Sequence, residues 1–218
     1  MDFSVLAEYL PLYKDALILT LRIGWLGIAL AFVIGILGAA ALHFEVPVLR
    51  QITKIYIELF RNTPLLVQLF FLYFALPKVG LKIPAETCGI LGLGLLGGAY
   101  MAEAFRSGLD SVPIIQTESA MSLGMSKPQT YGYVILPQTV RRLIPLSINL
   151  ITRMIKTTSL VMMIGIVEVL KVAQQIIEAN RKSSPNAAFG LFLVVFLLYF
   201  IICWPISKLA GYLEKKWA

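Results

Sequence analysis

The chain has 218 residues, 58% hydrophobic and only 14% charged, with a mean hydropathy of +0.81. A soluble domain runs near half apolar and about a quarter charged, so this excess has to be solvated by lipid or by other apolar helices, and the length leaves no room for a separate soluble catalytic module. The net charge of +7 is scattered along the chain and not gathered into a basic stripe, which points to loop anchoring at a membrane and away from nucleic acid.

Five segments have the roughly 20-residue length and apolarity that a bilayer demands, predicting an all-α, polytopic membrane fold in one domain over residues 1–218. No cleavable leader is expected, because Asp2 and Glu8 stand where a basic region would be. The first span covers about residues 16–42 and carries Ala31, Gly35 and Ala39 at every fourth position, a face that lets another helix approach closely. Arg22 lies near its start, where a long side chain snorkels to the interface. An amphipathic stretch, 52–60, precedes the second span, centred on 65–76. Between them Pro64 cannot donate to the carbonyl of Phe60, so the helix kinks or starts afresh there.

The third span, about 87–105, is rich in glycine. A polar segment, 107–142, follows and is too long for a mere connection. The fourth span, about 144–169, is interrupted by Arg153 and Lys156, and the fifth covers about 187–206. With the N-terminus outside, the inner side holds Arg50, Lys54, Arg106, Lys127, Arg141, Arg142, Lys208, Lys215 and Lys216. The outer side holds Lys14, Lys78, Lys82, Lys171, Arg181 and Lys182. That bias favours N-out, C-in, with the polar segment in the cytoplasm.

Gly92-Leu93-Gly94-Leu95-Leu96-Gly97 satisfies the dinucleotide-binding string but sits inside an apolar span, where Gly94 and Gly98 also make the G-x-x-x-G of close helix packing. No phosphate-cradling P-loop string occurs, so ATP is not expected on this chain. Cys88 and Cys203 read as small buried residues, and the lone His43 has no obvious acid partner. Neither a metal site nor a catalytic constellation is legible.

The polar segment is the most specific part. Glu118-Ser119-Ala120 is followed at the fourth position by Gly124, and then, after nine residues, by Val134-Ile135-Leu136-Pro137. An acidic residue among small neighbours suits entry of a helix into a groove, glycine suits the turn after it, and Pro137 suits a restart of helix. This spacing resembles the EAA signature of binding-protein-dependent ABC importer permeases, with Ser119 and Val134 replacing the usual alanine and isoleucine. The run from Arg61 to Phe70, the stretch Tyr100-Met101-Ala102-Glu103-Ala104-Phe105-Arg106, the Ser111-Val112-Pro113 approach with Gln116, and Lys156-Thr157-Thr158-Ser159-Leu160 resemble segments of the polar amino acid branch. Departures are Asn62 and Ile115, where glycine is usual.

The resemblance implies a non-catalytic permease subunit that pairs with a second, identical or similar permease and docks on two ATP-binding cassette subunits through Glu118, Ser119, Ala120 and Gly124. It also implies an extracytoplasmic amino acid binding protein, with ATP and magnesium on the ATPases and no cofactor on this chain. Charges inside a span cost about 2.5 to 3.5 kcal/mol each at a helix centre unless they face protein, water or substrate. Glu103 and Arg106, three apart, can pair; Leu150, Arg153 and Thr157 share one helical face. In relatives that move cationic amino acids the positions matching Leu150 and Thr157 can both be acidic. Here neither is, so a substrate path of Leu150, Arg153, Thr157, Glu103 and Thr63 is expected to favour a neutral or acidic amino acid. Other readings are an importer of another small solute, such as an inorganic anion, and a channel not driven by ATP. A membrane-embedded enzyme would need catalytic groups that are not found.

Overall fold

The structure, a computed structural model, describes residues 3–182 and 187–217. Among these residues the chain is helical, with three helices long and apolar enough to cross a membrane and two bent pairs that bring the total to five if each pair is one span. The first helix, α1 (Phe3–His43), starts well before the expected boundary at residue 16, and its apolar part runs from Tyr9. Arg22 does not snorkel alone. Its Nε donates to Glu86 Oε1 at 2.8 Å, so the charge is neutralised across to α4 (Ala85–Asp110).

α1 and α4 form the spine of the bundle, and the small residues explain how. A Cβ built on Gly94 would collide with the Leu30 side chain, one on Gly98 would stand 2.8 Å from Ile34 Cβ, and one on Gly97 would stand 3.0 Å from Ala31 Cβ. The G-x-x-x-G stretch therefore packs helices, as its context predicts. Around this contact lies the main core, with Ile23, Leu69, Leu93, Met101 and Val161 all buried. Cys88 and Cys203 are buried free thiols within it.

Between α1 and α4 the chain forms α2 (Pro47–Arg61) and α3 (Leu65–Phe70), which continues in π and tight 3-10 turns to Val79. The two halves meet at 104°. The helix starts afresh at Pro64, and side chains satisfy the orphaned carbonyls at the break: Asn62 Nδ2 donates to Glu58 O and Thr63 Oγ1 to Leu59 O, both at 2.8 Å. Gln68 Nε2 donates to Phe60 O at 2.9 Å, Thr63 O at 3.1 Å and Thr63 Oγ1 at 2.8 Å. Irregular backbone at membrane depth survives only when its polar groups are met in this way.

The polar segment is itself helical. α4 runs on to Asp110, α5 spans Ile114–Ser122, and the short α6 (Lys127–Gln129) opens with a capping box between Ser126 and Gln129. Wide π turns (Thr130–Ile135) then lead without a break into α7 (Leu136–Thr157). Pro137 thus sits at the joint between π and α turns, not at a new start. The fourth span is broken, contrary to the single span expected at 144–169. α7 tightens into 3-10 turns (Thr158–Ile164), Gly165 takes φ +88°, and α8 (Val169–Ala179) departs at 48°. α8 buries Val172 and Ile176 against Tyr13 and Ala16 of α1 and Leu191 and Val195 of α9 (Ala187–Trp217). α9 continues past the expected end at 206. Phe189, Phe196, Phe200 and Trp204 remain exposed on it, as suits a helix face toward lipid or a partner helix.

Candidate translocation site and coupling segment

The break at Arg61–Pro64 and the polar face of α7 meet across α4. Between them lies a cavity of about 380 Å³ lined by Arg61, Asn62, Thr63, Pro64, Leu65, Leu93, Leu96, Gly97, Tyr100, Leu150, Arg153, Met154 and Thr157. Four of the five residues expected on the substrate path (Thr63, Leu150, Arg153 and Thr157) therefore share one cavity, as their helical spacing predicts for the last three. The fifth, Glu103, lies elsewhere.

Tyr100 organises the charge in this cavity. The Arg153 guanidinium carbon stands 4.4 Å from the Tyr100 ring centroid and that of Arg61 stands 5.3 Å from it. Arg153 also donates to the Tyr100 hydroxyl at 3.3 Å. Cation–π attraction of this kind contributes about 0.5 to 2 kcal/mol, depending on desolvation. It holds two like charges on one ring, with no Asp or Glu among the lining residues. The Thr157 hydroxyl donates to its own helix, to Met154 O at 2.9 Å and Arg153 O at 3.1 Å, and Thr63 Oγ1 donates to Leu59 O at 2.8 Å. Free donor capacity in the cavity therefore rests mainly with the two guanidiniums.

A second cavity, about 550 Å³, adjoins the first through Arg61, which lines both. Its wall is mixed in charge, with His43, Glu45, Arg50, Lys54, Glu58, Glu103, Arg106 and Asp110. Glu103 faces this vestibule and pairs with Arg106 at 2.6 Å, while Arg106 also reaches Asp110 at 2.6 Å. The pairing of Glu103 with Arg106 matches expectation; the third member, Asp110, was missed. His43 does have an acid partner, contrary to the sequence reading, because its Nδ1 lies 2.8 Å from Asp110 Oδ1.

In the polar segment Glu118 and Ser119 are exposed on α5, whereas Ala120 is buried. α5 ends in a Schellman turn. Gly124 takes φ +84°, its N–H donates to Met121 O at 2.9 Å, and Met125 N–H reaches back to Ala120 O at 3.2 Å. Four large apolar side chains on and just after α5 lack cover, namely Ile114, Ile115, Met121 and Leu123, the last 85% exposed.

Sequence reasoning also missed Glu168, which is fully buried and caps α8. Its Oε1 accepts from Lys171 N at 2.8 Å and its Oε2 from the Tyr199 hydroxyl at 3.3 Å. The signal was present: an acidic residue stands directly before the apolar run Val169, Val172, Ala173, Ile176, where helix caps occur. Among the described residues no group of His, Cys, Asp and Glu is arranged to hold a metal.

Over residues 31–218 the sequence matches the family described as binding-protein-dependent transport system inner membrane component. The chain belongs to this family. Among curated relatives, the probable glutamine ABC transporter permease protein of Bacillus subtilis is 34% identical over 218 residues, covering 99% of each chain. The glutamine transport system permease protein of Escherichia coli is 34% identical over 217 residues, covering 99% of this chain and 97% of its own. The crystal structure of an amino acid ABC transporter with histidines superposes with a TM-score of 0.88 at 31% identity, covering 99% of each chain. The MetNI methionine ABC transporter in an inward-facing form gives 0.68 at 16% identity over 89% of this chain, a likeness of fold alone. As a member of the family this permease is embedded in the membrane and is a transport component, not an enzyme; ATP hydrolysis belongs to a separate subunit, and the family implies ATPase and binding-protein partners.

Proposed function

We propose that this permease subunit forms the path for a polar amino acid that is neutral or acidic, held in the Arg61–Tyr100–Arg153 cavity. The observation that carries the reading is the pair of guanidiniums on one tyrosine ring with no carboxylate on the wall. Two unit charges about 4 Å apart interact by roughly 4 kcal/mol at an effective dielectric near 20, before desolvation. A carboxylate entering the cavity is attracted by both guanidiniums, whereas a second cationic group is repelled by them. The relatives named for glutamine and for amino acids support the substrate class.

The coupling reading rests on α5. Glu118, Ser119 and Gly124 lie on an exposed helix and turn whose apolar side chains are uncovered, and the helix, with Ala120 buried, packs on the π turns at Thr130–Ile135. Docking of this element on an ATP-binding cassette subunit would cover Ile114, Met121 and Leu123 and neutralise Glu118. The complete importer in this reading has two such permeases, two ATPases holding ATP and magnesium, and the binding protein, with the N-terminus outside and the C-terminus and residues 107–142 in the cytoplasm. The vestibule shares residue Tyr131's neighbour His43 with the loop end of the bundle, which supports an inner location for it.

The test is uptake by the complete complex in liposomes, with labelled glutamine, glutamate and arginine competing. The reading expects glutamine or glutamate to be taken up in preference and Arg153→Ala to reduce that uptake. Preferred uptake of arginine or lysine, with Arg153→Ala silent, would overturn it. Uptake without ATP would favour a channel.

A further inference from the structure

We infer that His43 is a positioning residue that ties the segment after the docking turn to the wall of the vestibule, so that movement of the loop reaches the substrate path. The inference rests on the coupling reading above and adds the route by which the coupling is transmitted.

The geometry is a chain of five side chains on three parts of the fold. Tyr131 belongs to the π turns that follow Gly124 and α6. Its hydroxyl meets His43 Nε2 at 2.9 Å, at the last residue of α1. His43 Nδ1 meets Asp110 Oδ1 at 2.8 Å, at the last residue of α4. The other oxygen of Asp110 takes Arg106 at 2.6 Å, and Arg106 takes Glu103 at 2.6 Å. Arg106 and Glu103 line the vestibule, which shares Arg61 with the deeper cavity. The Phe44 ring packs on both His43 and Tyr131, with centroids 5.1 and 5.3 Å away, so the joint is held laterally as well.

Imidazole suits this position because its two nitrogens act in opposite directions. A carboxylate accepts, so Nδ1 carries the hydrogen toward Asp110, and in the neutral ring Nε2 then accepts from the Tyr131 hydroxyl. The ring is a rigid bridge between two groups that no backbone hydrogen bond connects. π turns are a helix form that recurs at functional sites, and here they place Tyr131 where a shift of α5 and α6 must either move His43 or break the 2.9 Å contact. A merely static tie would serve folding, but would leave the yield of transport per ATP unchanged when cut.

The experiment uses the whole complex in liposomes with loaded binding protein, reading amino acid uptake and ATP hydrolysis together. Variants are His43→Leu, His43→Gln, Tyr131→Phe and, as the loop control, Glu118→Lys with Gly124→Asp. The expected result is that His43→Leu and Tyr131→Phe assemble and hydrolyse ATP at the basal rate. Uptake per ATP falls about tenfold in His43→Leu, the size of one charge-assisted hydrogen bond lost, and less in Tyr131→Phe. His43→Gln, whose amide can donate and accept, restores most of it. Wild-type uptake per ATP in both His43→Leu and Tyr131→Phe, with the loop control uncoupled, overturns the role of His43 and leaves the coupling reading standing. A silent loop control sinks the coupling reading itself. Should His43→Leu fail to assemble, Tyr131→Phe, which loses one hydroxyl, decides the matter, and a wild-type ratio there counts against the inference.

Discussion

Gly35 of α1 lies against Met101 of α4 so closely that a Cβ on Gly35 would stand 2.6 Å from the Met101 Cβ. The Cβ of Met101 is fixed by its helix and cannot swing away, so the contact sets how near the two axes run. Overpacking a tight core costs about 1 to 3 kcal/mol. Gly35→Leu is therefore expected to lower the melting temperature of the detergent-solubilised protein strongly, and Gly35→Ala measurably. Gly190→Ala, at a site with nothing within 4 Å, is expected to leave it unchanged. Equal melting for Gly35→Leu and Gly190→Ala would mean that α1 and α4 do not meet as described.

The spine was legible because both partners advertise it. Ala31, Gly35 and Ala39 mark one face of α1, the glycines from 92 to 98 mark α4, and each pattern is local to its own helix. The 104° turn was legible from Pro64 for the same reason. What stayed hidden depends on residues far apart in sequence. Nothing around His43 announces Asp110, 67 residues on, nor does Arg22 announce Glu86, 64 residues on. The break after residue 164 was hidden as well, because the φ of +88° at Gly165 leaves no mark on hydropathy or composition. Half of the candidate site followed the same rule. Leu150, Arg153 and Thr157 share a helix and line one cavity with Thr63, which the sequence reading had placed beside them, whereas Arg61 and Tyr100 come to them from other helices and were not named there.

The guanidinium pair leads to a charge-exchange prediction. Leu150 and Thr157 line the cavity beside Arg153 without carrying charge. Leu150→Glu with Thr157→Asp places two carboxylates where there are none, and an opposite charge near 4 Å gains several kcal/mol at intermediate dielectric. Equilibrium binding of labelled arginine to the purified complex, without binding protein, is expected to rise at least about tenfold relative to glutamine, which corresponds to roughly 1.4 kcal/mol. An unchanged arginine-to-glutamine ratio would remove this cavity from the substrate path.

Gly124 makes a graded prediction. Its left-handed φ of +84° closes α5 with two backbone bonds, to Met121 O and, from Met125, to Ala120 O. A residue with a Cβ loses about 1 to 2 kcal/mol in that conformation, and asparagine less than alanine. Hydrogen exchange of residues 114–125 in the assembled complex is expected to quicken in the order Gly124→Asn, then Gly124→Ala. A Cβ there meets nothing within 4 Å in this chain, so no clash inside the subunit contributes, and the same order in the free permease separates the backbone effect from a contact with the ATPase. Exchange as slow in Gly124→Ala as in the parent chain would show that the turn is not held in the left-handed form.

Glu168 separates a cap from a mere buried charge. It stands at the start of α8, fully buried, with one oxygen on the Lys171 N–H and the other on the Tyr199 hydroxyl, which also lies 3.3 Å from Thr158 Oγ1. Through these contacts one side chain pins the break after Gly165 to α9. Glu168→Gln keeps an acceptor for Lys171 and is expected to melt within a few degrees of the parent. Glu168→Leu fills the volume but leaves a part-buried N–H and a part-buried hydroxyl with one partner fewer, each costing up to about 1 to 3 kcal/mol. Its melting temperature should fall well below that of Glu168→Gln, and Tyr199→Phe should fall between them. If Leu and Gln at this position melt alike, packing alone holds α8 against α1 and α9, and the carboxylate is dispensable for the fold.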